Sequence, residues 1–276
     1  MRLLGQLSGT ALSDEHRAIG AAMSRVEIPE FAWEIQAISA LDPQLPARLR
    51  AHWAARLRVE HRSSMVFAQL AAQLFEAGAY LDEQVVMLRM AQDELRHTGT
   101  CAAVLLALGG SLEAPQPEIE PLARHAGVTP EERALRNVIF TTCISEMVAC
   151  ARFVATLDHT TDPMMRGALR VLLSDETLHG RFGFHYLAAR AEALREPALR
   201  TSLYRFLVHA FAVAERELAP VPPWRASSAA ERAYGLEDPE LAHEVFHQTL
   251  EHAVVPGLEQ HGIEAGAAWR ERRLLA

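Results

Sequence analysis

Apolar residues recur every three to four positions through most of the chain, which is the spacing of one face of an α-helix. No segment of any length alternates apolar and polar residues between turn signals, so no β-strand is predicted. The pattern predicts long helices over 46–77, 82–108, 130–158 and 163–193, and shorter helices over 197–217 and 238–254. The expected fold class is therefore all-α.

Capping residues and prolines mark the starts of these helices, at Pro46, Asp82, Thr129, Asp162 and Asp238. Glu132 follows Thr129 at the spacing of a capping box. The connection over 109–129 is rich in Gly and Pro, and it is long enough to cross the length of a helical bundle. We expect a single domain over 1–276, with a bundle core at about 46–193, an N-terminal arm over 1–45 and a C-terminal helical extension over 194–276.

Two of the long helices carry a Glu-x-x-His pair on a stripe that is otherwise apolar. Glu94 and His97 form the first pair, and Glu176 and His179 form the second. Residues three apart lie about one turn apart on the same helix face, so one metal ion can reach both side chains.

The other two long helices each carry one Glu on their apolar stripe, Glu60 and Glu146. Glu60 precedes Glu94 by 34 residues and Glu146 precedes Glu176 by 30, and both midpoints fall at predicted helix breaks. In antiparallel helices, residues equidistant from the turn lie at the same height, so the four carboxylates are predicted to converge. A bare carboxylate in an apolar core costs several kcal/mol unless a cation compensates it, and two divalent ions would do so.

Other acid and histidine patterns near the C-terminus are weaker. Glu240 and Glu244 each open a further Glu-x-x-His, but no Asp precedes them. Glu215 with Glu244 and His247 repeats the ligand spacing across a proline-rich break, without a second half that would complete a two-ion site. A surface helix is the simplest interpretation, and a role for the histidines of this region stays open: His243, His247, His252 and His261.

The doubled Glu…Glu-x-x-His pattern resembles that of the ferritin-like non-haem diiron carboxylate proteins, over roughly residues 46–193. The resemblance implies a ferritin-like four-helix bundle that binds two iron ions, and manganese suits the same hard ligands. It implies ligation of one ion by Glu60, Glu94 and His97 and of the other by Glu146, Glu176 and His179, with Glu94 and Glu176 as bridges and catalytic residues. Asp93 and Asp175 resemble residues that accept the free imidazole N–H of a ligand histidine.

Comparison within that family narrows the expected reaction. The string Asp93-Glu94-Leu95-Arg96-His97 resembles bacterial multicomponent monooxygenase hydroxylases. Cys101 stands where the small subunit of ribonucleotide reductase carries its radical tyrosine, Ala149 where rubrerythrins carry an additional carboxylate, and Leu172 where arylamine N-oxygenases carry an extra histidine. The resemblance implies a dioxygen-activating oxidoreductase of hydroxylase, N-oxygenase or desaturase type, supplied with electrons by a reductase or ferredoxin. A ferroxidase or peroxide-reducing protein is the alternative, and a helical interaction protein with a degenerate site is a third.

The expected substrate pocket follows from the same inward stripes. Its walls would be Phe67, Met90, Cys101, Cys143, Cys150, Phe153 and Leu172. Because these stripes contain no cationic side chain, a small and largely apolar organic substrate is expected. The identity of the substrate and the choice among hydroxylation, N-oxygenation and desaturation stay open.

Composition excludes several other functions. All 27 basic residues are Arg, and the absence of Lys excludes Schiff-base chemistry and a P-loop. The net charge of −8 without a basic cluster argues against a nucleic-acid partner, and three Cys outside any CxxC argue against a disulfide framework. No uninterrupted apolar run of membrane-spanning length and no secretory signal are found, so a cytoplasmic protein without a membrane partner is expected. The apolar fraction of 50% is compatible with a homodimer.

Overall fold

The computed structural model describes residues 22–23, 30–113 and 121–274, which form helices and turns with no strand among them. A short helix, α1, is followed by four long ones. Their bounds are Ile35–Leu41 for α1, Leu45–Glu76 for α2, Leu81–Ala107 for α3, Pro130–His159 for α4 and Pro163–Ala188 for α5. The all-α prediction is confirmed. Of the predicted N-terminal arm, residues 1–21 and 24–29 lie outside the described residues.

The C-terminal region contains five further helices among the described residues. They are α6 (Pro197–Leu218), α7 (Ala229–Ala233), α8 (Pro239–Thr249), α9 (Val255–Glu259) and α10 (Ala265–Glu271). A π-helical turn, Leu250–Val254, joins α8 to α9, so the helix predicted over 238–254 continues further than expected. Helix α8 packs on α4 and α10 packs on α6, which places this region over the four long helices.

Most predicted helix starts are capped as expected. The side chain of Thr129 accepts a hydrogen bond from the Glu132 backbone N–H at 3.2 Å, and Asp162 and Asp238 cap α5 and α8 in the same way. The predicted capping box at Thr129 is only half formed, because the Glu132 carboxylate accepts hydrogen bonds from Arg136 instead.

Helix α5 ends at Ala188, five residues before its predicted end. The following residues, Ala, Arg and Glu, favour a helix by propensity, so tertiary contacts decide the boundary. Arg190 donates to the Glu83 carboxylate of α3 at 2.6 Å, and Leu194 is buried in the core. A straight continuation of α5 would lose both contacts.

The connection between α3 and α4 runs along α2. At its start, the Leu108 carbonyl accepts a hydrogen bond from Arg50, and near its end the Leu122 N–H donates to Gln69. Arg50 and Gln69 are nineteen residues apart on α2, a rise of about 28 Å. Residues 114–120 lie outside the described part of the chain. The two described ends therefore lie far apart along α2, as expected for a crossover.

Two apolar clusters fill the space between the long helices. One contains Leu57, Cys101, Phe153 and Leu172, and the other contains residues such as Phe67, Met90, Ile144 and Phe182. Along each long helix, the inward-facing acid predicted from the sequence lies between a residue of the first cluster and a residue of the second. The acids are therefore enclosed above and below by apolar side chains, which exclude water on those two sides.

Helix α4 is the one helix among the described residues that is long and apolar enough to cross a membrane by length and composition. Half of its most apolar window is buried inside the structure. The absence of a membrane partner stays a prediction.

Candidate metal centre

The six candidate ligands meet at the centre of the four long helices. Each of the four carboxylate residues is at most 8% exposed, and both histidines are completely buried. Their ligand atoms form two groups, and within each group these atoms lie within 4.8 Å of one another. The groups are Glu60, Glu94, His97 and Glu176, and Glu94, Glu146, Glu176 and His179. Glu94 and Glu176 belong to both groups, so each of them lies between the two positions that a cation can take.

Both imidazole rings point their Nδ1 atom at the carboxylates. His97 Nδ1 lies 3.4 Å from Glu176 Oε1 and 3.6 Å from Glu60 Oε2. His179 Nδ1 lies 3.1 Å from Glu94 Oε1 and 3.2 Å from Glu176 Oε2. Nδ1 is therefore the nitrogen of each ring that a cation among these carboxylates would meet.

The opposite nitrogen of each ring faces an aspartate from the other half of the chain. His97 Nε2 lies 3.2 Å from Asp175 Oδ2, and His179 Nε2 lies 3.6 Å from Asp93 Oδ2. A carboxylate at this nitrogen fixes the ring orientation and leaves the lone pair of Nδ1 free for a metal. The sequence predicted an aspartate beside each histidine, but it did not show that the pairs cross between α3 and α5.

Two arginines of α3 hold these aspartates in place. Arg89 Nε donates to both oxygens of Asp93, at 3.0 and 3.1 Å, and the buried Arg96 forms an ion pair with Asp175. Burial raises the pKa of Asp93, but hydrogen bonds from His179 and Arg89 outweigh this effect and lower its pKa. The apolar periodicity gave neither arginine a role, because both lie beside the apolar stripe, although Arg96 belongs to the string that resembles the monooxygenase hydroxylases. Their spacing of four and three residues from Asp93 was the available signal.

The cluster carboxylates are buried and lie close together, and burial and mutual repulsion both shift their pKa values. Burial, with a contribution from Glu94, raises the pKa of Glu60 to about 7. Burial and the Glu176 charge raise the pKa of Glu146 well above its ordinary value. Burial acts in the same direction on Glu176, but His179 and His97 outweigh it and hold the pKa of Glu176 well below the ordinary value. Burial lowers the pKa values of His97 and His179, but hydrogen bonds to the neighbouring carboxylates outweigh it and raise both well above the ordinary value. In the metal-free cluster the two imidazoles therefore carry positive charge, which a bound cation would replace.

The donor atoms fit divalent metal ions. Glu94 Oε1 and His97 Nδ1 are buried without a hydrogen-bond partner among the described residues. Each such atom costs about 1–3 kcal/mol, which a bound cation would offset. Carboxylate oxygen and imidazole nitrogen are ligands that suit iron and manganese. Burial raises the pKa values of the Cys143 and Cys150 thiols to about 12, and neither sulfur belongs to either ligand group. The buried Glu and His cluster can thus hold metal ions.

A π-helical segment of α4 positions Glu146. The segment spans Ile139–Glu146, and Glu146 is its last residue. Helix α5 approaches this segment closely at Gly183, where an added Cβ would collide with the side chains of Cys143 and Thr142. π-Helical turns are rare and occur often at functional sites. This one sets the angle at which Glu146 enters the cluster.

A cavity of about 700 Å³ adjoins the cluster. All four cluster carboxylates contribute to its lining, and the exposed residues Arg62 and His209 also line it, so it reaches the surface. Its volume lies in the range of small-molecule sites. The walls come from α2, α4 and α6, together with the connection that precedes α4.

The expected pocket wall needs correction. Of its seven residues, only Phe153 lines the cavity; Phe67, Met90, Cys101, Cys143, Cys150 and Leu172 do not. Five of these six are completely buried, because the inward stripes pack against neighbouring long helices and leave no open space there. The actual walls include α6, which lies outside the four long helices. They also contain Arg56 and Arg152, so the expectation of a wall without cations was wrong.

The C-terminal histidines form no comparable cluster among the described residues. His247 Nε2 lies 3.7 Å from Glu215, but Arg272 donates to both Glu215 oxygens at 2.9 Å and compensates its charge. His243 Nδ1 lies 2.9 Å from the Pro220 carbonyl, the distance of a hydrogen bond. Glu215 and His247, which belong to the weaker ligand pattern near the C-terminus, thus form ordinary structural contacts.

Comparisons of this chain with known protein families, characterised proteins and solved structures gave no match. The geometry of the cluster and its cavity is therefore the basis for assigning a function to this chain.

Proposed function

We propose that this protein is a ferritin-like diiron carboxylate oxidoreductase, which uses dioxygen to oxidise a small organic molecule. One observation carries the proposal: the two ligand groups share Glu94 and Glu176, the arrangement required for two adjacent ions with bridging carboxylates. An external reductase or ferredoxin would supply the electrons that the reaction with dioxygen consumes.

The unshared ligands divide between the two ions. Glu60 and His97 would hold one iron, and Glu146 and His179 would hold the other. Carboxylates and imidazoles bind iron in both of its common oxidation levels, and manganese suits the same set. When bound, the metal pair supplies the reduction of dioxygen and the oxidising equivalent for the substrate.

The protein supplies geometry and a dry environment. Asp93 and Asp175 orient the two imidazoles, and Arg89 and Arg96 form ion pairs with those aspartates. The two apolar clusters exclude water on either side of the centre. The adjoining cavity is large enough for a small organic substrate to approach the bridging carboxylates from one side.

Metal analysis of the purified protein tests this proposal. After anaerobic loading with Fe²⁺ we expect two irons per chain, and mixing with dioxygen should change the absorption spectrum and consume oxygen stoichiometrically. Uptake of many irons per chain would favour a ferroxidase instead. Failure to bind iron after reconstitution, or binding of a single zinc, would contradict the proposal and favour a degenerate site.

A further inference from the structure

Arg56 is a cation in the cavity whose hydrogen-bonding capacity is largely unused. It lies on α2, and its guanidinium stacks over the Phe153 ring at 4.4 Å. Its Nε is buried without a hydrogen-bond partner among the described residues. The nearest ion-pair contact joins its Nη1 to Glu60 Oε1 at 3.6 Å, which is longer than a hydrogen bond. Stacking fixes the plane of the guanidinium and leaves its N–H groups directed sideways.

The other arginine deep in the cavity is already paired. Arg152 donates through two nitrogens to the Glu237 carboxylate and also contacts the Leu218 carbonyl. Apart from Glu60, this end of the cavity therefore contains two guanidinium groups and one carboxylate. Glu60 also belongs to a ligand group of the candidate metal centre, so a bound cation would compete with Arg56 for its charge.

A neutral hydrogen-bonding group lies one turn from Arg56. His52 lines the same cavity, and its Nε2 is buried without a hydrogen-bond partner among the described residues. Burial, with a contribution from Arg56, lowers the pKa of His52 to about 3, so the ring is neutral. A neutral imidazole adds a hydrogen bond for an anion without adding charge.

The rest of the wall is largely apolar. Val59, Val66, Phe140, Phe206 and Val213 line the space between α2, α4 and α6. Arg56 lies one helical turn, about 6 Å along the axis, from the candidate ligand Glu60. A molecule whose head reaches Arg56 would therefore have its adjoining carbons beside the metal carboxylates and its apolar remainder along this wall.

We propose that the cavity binds an organic acid, with its carboxylate on Arg56 and His52 and its apolar body along the wall between α2 and α6. The planar guanidinium matches a carboxylate better than it matches a neutral amide or alcohol. The inference deepens the proposed function, because it names the substrate class of the same site. It replaces the neutral substrate expected from the sequence.

Calorimetric titration of the anaerobically iron-loaded protein with octanoate and octanamide tests the proposal. The two probes share a chain and differ in head charge. We expect octanoate to bind at least about tenfold more tightly than octanamide, and Arg56→Gln to weaken octanoate about 10- to 100-fold with little effect on octanamide. Arg62→Gln is the matched control, since this exposed arginine lines the same cavity on the same helix, and it should change the affinity by less than about threefold.

Iron content measured on the same samples separates the two proposals. Two irons per chain with equal affinity for both probes, or with octanoate binding unchanged in Arg56→Gln, would overturn the organic-acid site and leave the metal function standing. If octanoate binding is unchanged in Arg56→Gln, the octanoate carboxylate would be coordinating metal instead of contacting Arg56. Octanoate binding that depends on Arg56 in a protein without iron would support the acid site against the metal function. If Arg56→Gln does not fold, Arg56→Lys keeps the charge without the planar fork, and a loss of about tenfold in octanoate affinity is expected.

Discussion

Because the two ligand groups share two glutamates, the number of metal ions that each variant binds can be predicted. Glu94 belongs to both groups, whereas Glu60 belongs to one. Glu94→Gln should therefore abolish binding of both ions, and Glu60→Gln should leave the group formed by Glu94, Glu146, Glu176 and His179 complete. We expect two metal ions per chain in the unmodified protein, one in Glu60→Gln and none in Glu94→Gln.

The same difference should appear in thermal stability. Free metal at a hundred times the dissociation constant stabilises the folded state by about 2.7 kcal/mol per site. An unfolding entropy of about 2.1 cal/mol/K per residue gives roughly 0.6 kcal/mol/K for this chain, so each bound ion should raise Tm by about 5 °C. We expect a metal-dependent rise of about 9 °C for the unmodified protein, half of that for Glu60→Gln, and none for Glu94→Gln.

Metal analysis and differential scanning calorimetry, with and without metal, measure both quantities. Glu217→Gln is the control, because this exposed residue lines the cavity without belonging to either ligand group. Equal metal content in Glu60→Gln and Glu94→Gln, or one ion retained in Glu94→Gln, would refute the inference that Glu94 bridges two ions.

Three further perturbations test the surroundings of the centre. Folded Glu60 keeps a proton that the unfolded chain releases, so in the metal-free protein it should lower the unfolding free energy by up to roughly 3 kcal/mol as the pH rises from about 4.5 to 7; urea titrations of the unmodified protein and of Glu60→Gln measure this difference and cancel the opposite contribution of His52. Asp175→Asn should cost about 3–5 kcal/mol of unfolding free energy, since it leaves the buried Arg96 charge without its closest ion-pair partner, and it should weaken metal binding about 10- to 100-fold. Gly183→Ala should lower stability by about 1–3 kcal/mol, whereas Gly99→Ala, with open space around its Cβ, should raise it by about 0.5–1 kcal/mol.

Each of these three expectations has a contrary outcome. Metal-free stability that changes with pH in the same way in the unmodified protein and in Glu60→Gln would show that Glu60 is ionised in the folded protein. Unchanged metal affinity in Asp175→Asn would mean that His97 needs no support from the opposite helix. If Gly183→Ala and Gly99→Ala behaved alike, the close approach of α5 to the π-helical segment would not be a packing constraint.

The bounds of three long helices, the start of the fourth and the convergence of the four acids followed from the sequence, because they depend on local periodicity and chain length. Starts at Thr129, Asp162 and Asp238 carry their own capping chemistry, and three of the four long helices lie within one residue of the predicted bounds. The early end of α5 did not follow, because Ala and Glu after residue 188 favour a helix. It ends where Arg190 meets Glu83, a contact between distant segments.

The π-helical segment and the cavity could not be predicted from local sequence patterns, for a different reason. An inserted residue in an apolar helix changes the direction of later side chains without changing the composition, so Ile139–Glu146 looks the same in sequence as a regular helix. The cavity wall includes residues of α6 that lie far along the chain from Arg56. Periodicity shows which face of a helix is buried, and it does not show where two buried faces fail to meet.

The crossing of the aspartate and histidine pairs has a consequence for assembly. The hairpin of α2 and α3 contains His97 but not Asp175, and the hairpin of α4 and α5 contains His179 but not Asp93. Neither hairpin can therefore form a complete metal centre alone, even if its own helices pair early through local contacts. Tight metal binding should therefore occur only after the two hairpins have docked. Two separately expressed halves of the chain should gain tight metal binding only when they are mixed.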